Sequence, residues 1–328
     1  MHYLKLLVVD DEPYILTLLG EILKGDYDLS FARNGTEALR LAEKIHPALI
    51  LLDVGLPDIN GFEVCKRLKS NPATEKIPVI FVTGSNDLHS EELGFEVGCV
   101  DYLSKPISPP IVLARVRTHL SLVRSADLEN SYREAVYMLG QAGHYSDNDT
   151  GVHIWRMAAY SRVLAEQVGW KRESAALLEL AATLHDTGKI GIPDAILKKP
   201  TALGKDEWDI MKTHAVIGHD ILIKSQAPLF QLAAEIALRH HEKWNGTGYP
   251  DGLAGTAIPE SARIVAIADV FDALSMKRPY KEAWPLESIL DHLRQQSGQH
   301  FDPAVVTAFE SCLPQILEIK ADWHNQAN

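Results

Sequence analysis

The sequence is poor in cysteine, in basic charge and in long apolar runs, and each shortage removes a class of protein. Three cysteines in 328 residues (Cys65, Cys99 and Cys312), odd in number and scattered, are no disulfide framework. Lys and Arg total 32 against 44 Asp and Glu, a formal net charge of -12. A nucleic acid polymer needs a basic face to meet its phosphates, so it is not an expected partner. No stretch approaches the ~18 uninterrupted apolar residues of a membrane span. The start, MHYLKLLVVDDE, also lacks the layout of a signal peptide. A cytoplasmic protein with no membrane partner is therefore expected. What is present is ordinary globular material, 46% hydrophobic and 23% charged, in a chain long enough for two domains.

Over the first 120 residues, short apolar runs near 4–9, 27–32, 48–52, 79–83 and 100–103 alternate with amphipathic stretches. Pro13 opens the first of these at a favoured first helical position. Five such units predict a parallel sheet covered by helices on both faces. In open parallel sheets chemistry gathers at the carboxyl ends of the strands. Those ends carry Asp10, Asp11 and Glu12, then Asp53, Thr83, and Lys105 before Pro106. Carboxylates converging there are hard oxygen ligands suited to Mg²⁺. A hydroxyl and an ammonium beside them can orient and neutralise a phosphoryl group. One such Asp alone is commonly a cap or turn residue; the whole set at four strand ends is harder to dismiss.

VVDDE, LLDVGLPDINGFE, VTG and the SKP turn, in that order, resemble a two-component receiver domain over residues 1–122. The resemblance implies a five-stranded flavodoxin-like α/β fold with Asp53 as phospho-acceptor and Asp10 and Asp11 as Mg²⁺ ligands. It further implies Thr83 and Lys105 as the phosphoryl-sensing pair, Tyr102 as the switch aromatic, and a sensor histidine kinase as partner.

Beyond Pro109-Pro110 a long segment without Gly or Pro carries Leu113, Val116, Leu120 and Val123 at three-and-four spacing. It reads equally as a sheet-packing helix that runs on as a linker (123–139) or as a dimerising helix. Gly140 and Gly143 mark the expected next boundary.

From there strand signals nearly vanish. The apolar stretch from Ser174 to Leu184 predicts a buried helix, ending at His185-Asp186. A buried His-Asp pair must be hydrogen-bonded or metal-bound. His240-His241 forms a second adjacent pair, with His153, His214 and Asp269 on other predicted helices. Neighbours on a helix point about 100° apart, so both members of a pair face one site only if it is wide. Two metals ~3.5–4 Å apart, bridged by a carboxylate such as Asp186, make it so. Imidazole and carboxylate together suit Fe, Mn or Zn. The following EKWNGTGYPDGLAG lets backbone approach a ligand or forms a plain turn-rich loop. Its Trp244 and Tyr249 either stack on a base or anchor that loop.

HDTGK and HHEKWNGTGYP, with TGVHIWR, IADVFDALSMKRPYK and GQHFDP around them, resemble the HD-GYP domain of the metal-dependent phosphohydrolases. This implies an all-α bundle over 140–328 that hydrolyses cyclic di-GMP to pGpG or GMP. The implied metal ligands are His153, His185, Asp186, His214, His240, His241 and Asp269. Lys189 would neutralise a substrate phosphate, Arg278 and Lys281 would grip its oxygens, and Tyr249 and Asp272 would contact ligand or hold the site together. Many three-metal members carry Glu four residues before the first His, whereas this chain has Asp149, one methylene shorter. Two metals, Fe or Mn, are therefore expected; the third metal and the choice between products stay open. The rival reading is a module that binds cyclic di-GMP or pGpG without turnover and acts through protein partners at the GYP loop.

Overall fold

The computed structural model describes residues 3–84, 93–144, 152–276 and 282–326. They fall into two units, Met1–Asn130 and Ser131–Asn328.

In the first unit, strands β1 (Lys5–Val9), β2 (Asp28–Ala32), β3 (Leu49–Asp53), β4 (Val79–Thr83) and β5 (Asp101–Ser104) form one sheet. All pairings are parallel, in the order β2-β1-β3-β4-β5. Strands buried on both faces must be apolar throughout, and β3 and β4 are buried at every position. The period of two then sorts each strand between two cores. Leu7, Val9, Ile50, Leu52 and Phe81 face one layer. Leu6, Val8, Leu49, Leu51, Ile80 and Val82 face the other. Helices α1 (Pro13–Leu23), α2 (Gly35–Ile45) and α3 (Gly61–Ser70) cover these faces. Of the helix expected near 88–97, residues 93–97 are described; 93–96 are helical and Val97 lies in the following turn. Because β1 lies between β2 and β3, the connections leave it in opposite directions. The resulting crevice opens at the carboxyl ends of β1 and β3, where Asp10 and Asp53 sit.

The α2 start is held from a distance. Asp58 accepts hydrogen bonds from Gly35 N (2.7 Å) and Thr36 N (2.9 Å), besides the local cap from Asn34. The Thr36 hydroxyl and these amides keep the Asp58 carboxyl well below the usual range.

Helix α4 (Pro109–His144) is continuous. Val112, Val116 and Leu120 are buried in the sheet core, with Leu113 packed against it. Three of the four seam residues are thus engaged by the receiver itself. Further along, Val136 belongs to the core of the second unit. The boundary expected at Gly140 and Gly143 is corrected: both are helical. A Cβ on Gly140 would lie 2.8 Å from Thr183 O, and one on Gly143 3.1 Å from Thr187 Cα. These glycines serve a close approach of the helix to the turn that carries His185-Asp186, not a chain break.

The second unit is helical: α5 (Val152–Gln167), α6 (Arg172–Ala182), α7 (Asp194–Leu197), α8 (Lys205–Lys212), α9 (His214–Leu222), α10 (Pro228–Arg239), α11 (Glu260–Ser275), α12 (Leu286–Gln295), α13 (Pro303–Ser311) and α14 (Leu313–Gln326). Short 3₁₀ turns lie at Thr187–Gly191 and Gly255–Ala257. Met157, Tyr160, Leu178, Ile236, Ile267, Phe271 and Phe309 anchor its core. Both expected halves of the α/β-plus-α architecture are present.

Candidate active site

At the receiver crevice, oxygens of Asp10, Asp11 and Asp53 lie within 4.8 Å of one another. Asp10 and Asp53 are buried and Asp11 is exposed. Lys105, just past β5, places Nζ 3.0 Å from Asp10 Oδ2, 3.0 Å from Asp53 Oδ1 and 2.9 Å from Glu12 Oε1. Burial opposes its charge, but the three carboxylates outweigh burial and hold the ammonium above its ordinary range. Burial raises the Asp10 carboxyl against the amide of Glu12 and Lys105. The other oxygen of Asp53 accepts from Gly55 N at 2.8 Å. Several carboxylates around one ammonium leave an excess of hard negative oxygen, a donor set that fits a divalent cation such as Mg²⁺. Thr83 closes β4, buried. Tyr102 is also buried, its ring between Phe81 (5.6 Å) and Phe95 (5.3 Å). A Cβ on Gly94 would meet its hydroxyl at 1.5 Å, so glycine there admits the inward ring.

In the second unit the two adjacent pairs lie just past helix ends: α6 stops at Ala182 and α10 at Arg239. The 100° argument for residues within a helix is therefore replaced by turn geometry. His185 Nδ1 lies 2.9 Å from Ala182 O, His214 Nδ1 2.7 Å from Met211 O, and His240 Nδ1 3.0 Å from Ile236 O. A carbonyl oxygen only accepts, so each Nδ1 carries the hydrogen and each Nε2 is turned inward. All three Nε2 atoms converge on Asp186. Its Oδ2 is 3.2 Å from His185; its Oδ1 is 3.3 Å from His214 and 3.7 Å from His240. Lys189 Nζ joins Oδ2 at 2.7 Å.

Two groups of ligand atoms result: Asp186, His214, His240 and His241, and His153, His185 and Asp269. Asp186 belongs to the first and touches the second through His185. His240 Nε2 is buried with no hydrogen-bond partner among the described residues, and His241 Nε2 faces His214 Nε2 at 3.1 Å. Burial lowers His214 to about 4, and burial with the neighbouring rings holds His241 well below its ordinary value. Neutral imidazole nitrogens aimed at one another and at a carboxylate are a donor set that fits transition-metal ions. His153 differs: burial pushes it down, but Asp269 and Asp272 prevail and raise it to about 10. Its Nδ1 is 2.5 Å from Asp272 Oδ2 and its Nε2 3.5 Å from Asp269 Oδ1.

Asp272 is a supporting residue. Buried on α11, it also accepts two hydrogen bonds from Arg156, at 2.9 and 2.8 Å. His153 and Arg156 balance its burial and keep the carboxyl below its usual range. Arg156 was not singled out by the sequence reading, although its place three residues after His153, on the same helix face, was a usable signal. Glu242 of HHE is likewise buried. It accepts from Asp251 N (2.9 Å) and Leu253 N (3.0 Å), and so pins the glycine-rich loop rather than joining the ligands. Gly188 has a steric role: a Cβ there would sit 1.9 Å from His214 O. Tyr249 stacks on His241 with centroids 4.7 Å apart. Trp244 instead anchors the loop, with Arg263 5.9 Å from its ring centroid and its backbone N–H donating to His300 O. Asp149, Arg278 and Lys281 lie outside the described residues.

The sequence matches the family model of the HD domain over residues 126–305 and that of the response regulator receiver domain over 6–117. The chain is a response regulator of the HD-domain phosphodiesterase family. A Vibrio cholerae relative, a probable cyclic di-GMP phosphodiesterase, is 40% identical over 93% of this chain and 76% of its own length. A Xanthomonas campestris relative, a cyclic di-GMP phosphodiesterase response regulator, is 38% identical over 96% of this chain and 89% of its own. A second Vibrio cholerae protein, a 3′3′-cGAMP-specific phosphodiesterase, is 45% identical over 60% of this chain and 37% of its own length. HD-domain enzymes of this family depend on metal. No helix among the described residues is long and apolar enough to cross a membrane.

Proposed function

We propose that the chain hydrolyses the 3′–5′ phosphodiester bonds of cyclic di-GMP at the His/Asp centre, under control of phosphorylation at Asp53. The observation that carries this reading is Asp186, whose two oxygens face different imidazoles. Asp186 would help the imidazoles hold two metal ions, Fe or Mn. His153, His185 and Asp269 would hold one, and His214, His240 and His241 the other. When bound, such ions supply Lewis acidity to the phosphoryl group and acidity to water. The protein's part is positional. Backbone carbonyls fix three imidazoles before substrate arrives, and Asp272 fixes His153. Lys189, already beside Asp186, meets charge developing on the phosphoryl oxygens. Arg278 and Lys281 would add further cationic grip. Asp149 would decide whether a third ion binds, and with it whether reaction stops at pGpG or proceeds to GMP.

In the receiver, a sensor histidine kinase would supply the phosphoryl group to Asp53, beside Mg²⁺ on Asp10 and Asp11. Lys105 would then neutralise it, and Thr83 and Tyr102 would respond. A homodimer through α4 is the other reading of that helix, and sedimentation of the full chain tests it.

The 45% identity to the cGAMP-specific relative favours a second substrate, which shares a guanine and the same linkage. Metal-loaded protein should be offered cyclic di-GMP, 3′3′-cGAMP and pGpG, with products separated by chromatography. Faster turnover of cyclic di-GMP is expected. Preference for the mixed dinucleotide would move the assignment, and binding without turnover of either would replace catalysis by sensing. Loss of response to an acyl-phosphate donor in Asp53→Ala tests the coupling.

A further inference from the structure

Trp208 is 47% exposed on α8, a helix that buries none of its residues. A single exposed aromatic needs no explanation by itself, so what it could meet has to be read from its neighbours. The ring meets Tyr249 edge-on at 6.4 Å, and Tyr249 stacks on His241 at 4.7 Å. A row of rings thus leads outward from the metal-ligand cluster to solvent. The helix is fastened at both ends. Glu207 accepts from Gly204 N (2.7 Å) and pairs with Lys199 at its start. At its end Lys212 leads through Thr213 directly into His214. Trp208 is therefore carried on a short rigid arm that also delivers a candidate ligand.

We infer that Trp208 is a specificity-determining residue whose indole stacks on a purine base of the substrate while the phosphodiester lies at the His/Asp centre. This rests on the cyclic dinucleotide reading above and deepens it. The chemistry is complementary: Lys189 and the ligand cluster serve the phosphate, whereas nothing within that cluster offers a flat apolar face. An indole offers one to any purine, so the platform favours nucleotides over small diesters.

The test compares wild type, Trp208→Ala and Trp208→Phe as metal-loaded full-length protein, on cyclic di-GMP and on bis(4-nitrophenyl) phosphate, which carries no purine. Trp208→Ala should raise KM for cyclic di-GMP about 5- to 150-fold, the loss expected for one aromatic–base stack. The preference for cyclic di-GMP over the nitrophenyl diester should fall in proportion, and Trp208→Phe should recover most of it. Quenching of tryptophan fluorescence by cyclic di-GMP in chelator-treated protein should weaken in Trp208→Phe. Unchanged KM and quenching in the variants would overturn the inference. So would equal losses on both substrates with lowered metal content, which would make Trp208 a mere support for His214. Wild-type protein inert toward every cyclic dinucleotide would instead bring down the functional reading, and this inference with it.

Discussion

In the receiver unit, Asp10, Asp53 and Lys105 stand on residues at strand ends and hold one another, the ammonium occupying the middle of the carboxylates. In the helical unit, His185, His214 and His240 are each fixed by a carbonyl of their own turn, and what they converge on is a carboxylate. The first arrangement carries its own cation and uses only oxygen ligands, so a weakly held Mg²⁺ and a transient phosphoryl group suit it. The second is pre-set in tautomer and direction, so the imidazoles are ready for metal with little rearrangement.

The comparison breaks most visibly at Asp186. Asp186→Asn should lower metal affinity of the helical unit more than ~100-fold, beyond the ~10–100-fold typical of supporting residues, as read by metal titration. Asp272→Asn should fall within that supporting range. It should also cost ~3–5 kcal/mol in chemical denaturation, because Arg156 is left buried without its charge partner. An Asp272→Asn protein of wild-type stability would remove Asp272 from the support of His153.

Titration sharpens the contrast. Metal binding at His153 Nε2 would displace a proton that Asp269 and Asp272 hold up to about pH 10, whereas His214, near 4, is already neutral at pH 6. Apparent affinity should therefore rise about tenfold per pH unit from pH 6 to 9, one proton being released per metal bound. A flat profile by competition with a chelator would place the metal elsewhere. In the receiver the smallest effect is expected. Lys105→Ala removes the resident cation, so Mg²⁺ should bind several-fold tighter, since two unit charges near 4 Å in water interact by ~1 kcal/mol and Mg²⁺ carries two. Weaker binding would mean that Lys105 orders the carboxylates rather than competing for them.

The receiver was legible because a parallel sheet delivers strand ends to one edge, so Asp10, Asp53, Thr83 and Lys105 could be gathered from apolar runs alone. The helical unit was legible through its adjacent His-Asp and His-His pairs and the order of its motifs. Steric and outer contacts stayed hidden. Gly140 looked like a chain break because sequence shows a missing side chain but not Thr183 O, 2.8 Å from where a Cβ would be. Trp244 and Trp208 are alike in sequence, and only the fold shows that one is tied down by Arg263 while the other faces Tyr249 and solvent. Glu242 acts on loop amides nine and eleven residues on, through a loop closure that sequence does not show, and Arg156 reaches Asp272 through helix packing, with only its spacing from His153 as a signal.

The most direct measurement is product formation from cyclic di-GMP by Fe- or Mn-loaded full-length protein beside a His185→Ala/Asp186→Ala control matched in far-ultraviolet circular dichroism. The account predicts pGpG or GMP from the wild type and neither from the control. Product from both proteins, or from neither, would contradict it.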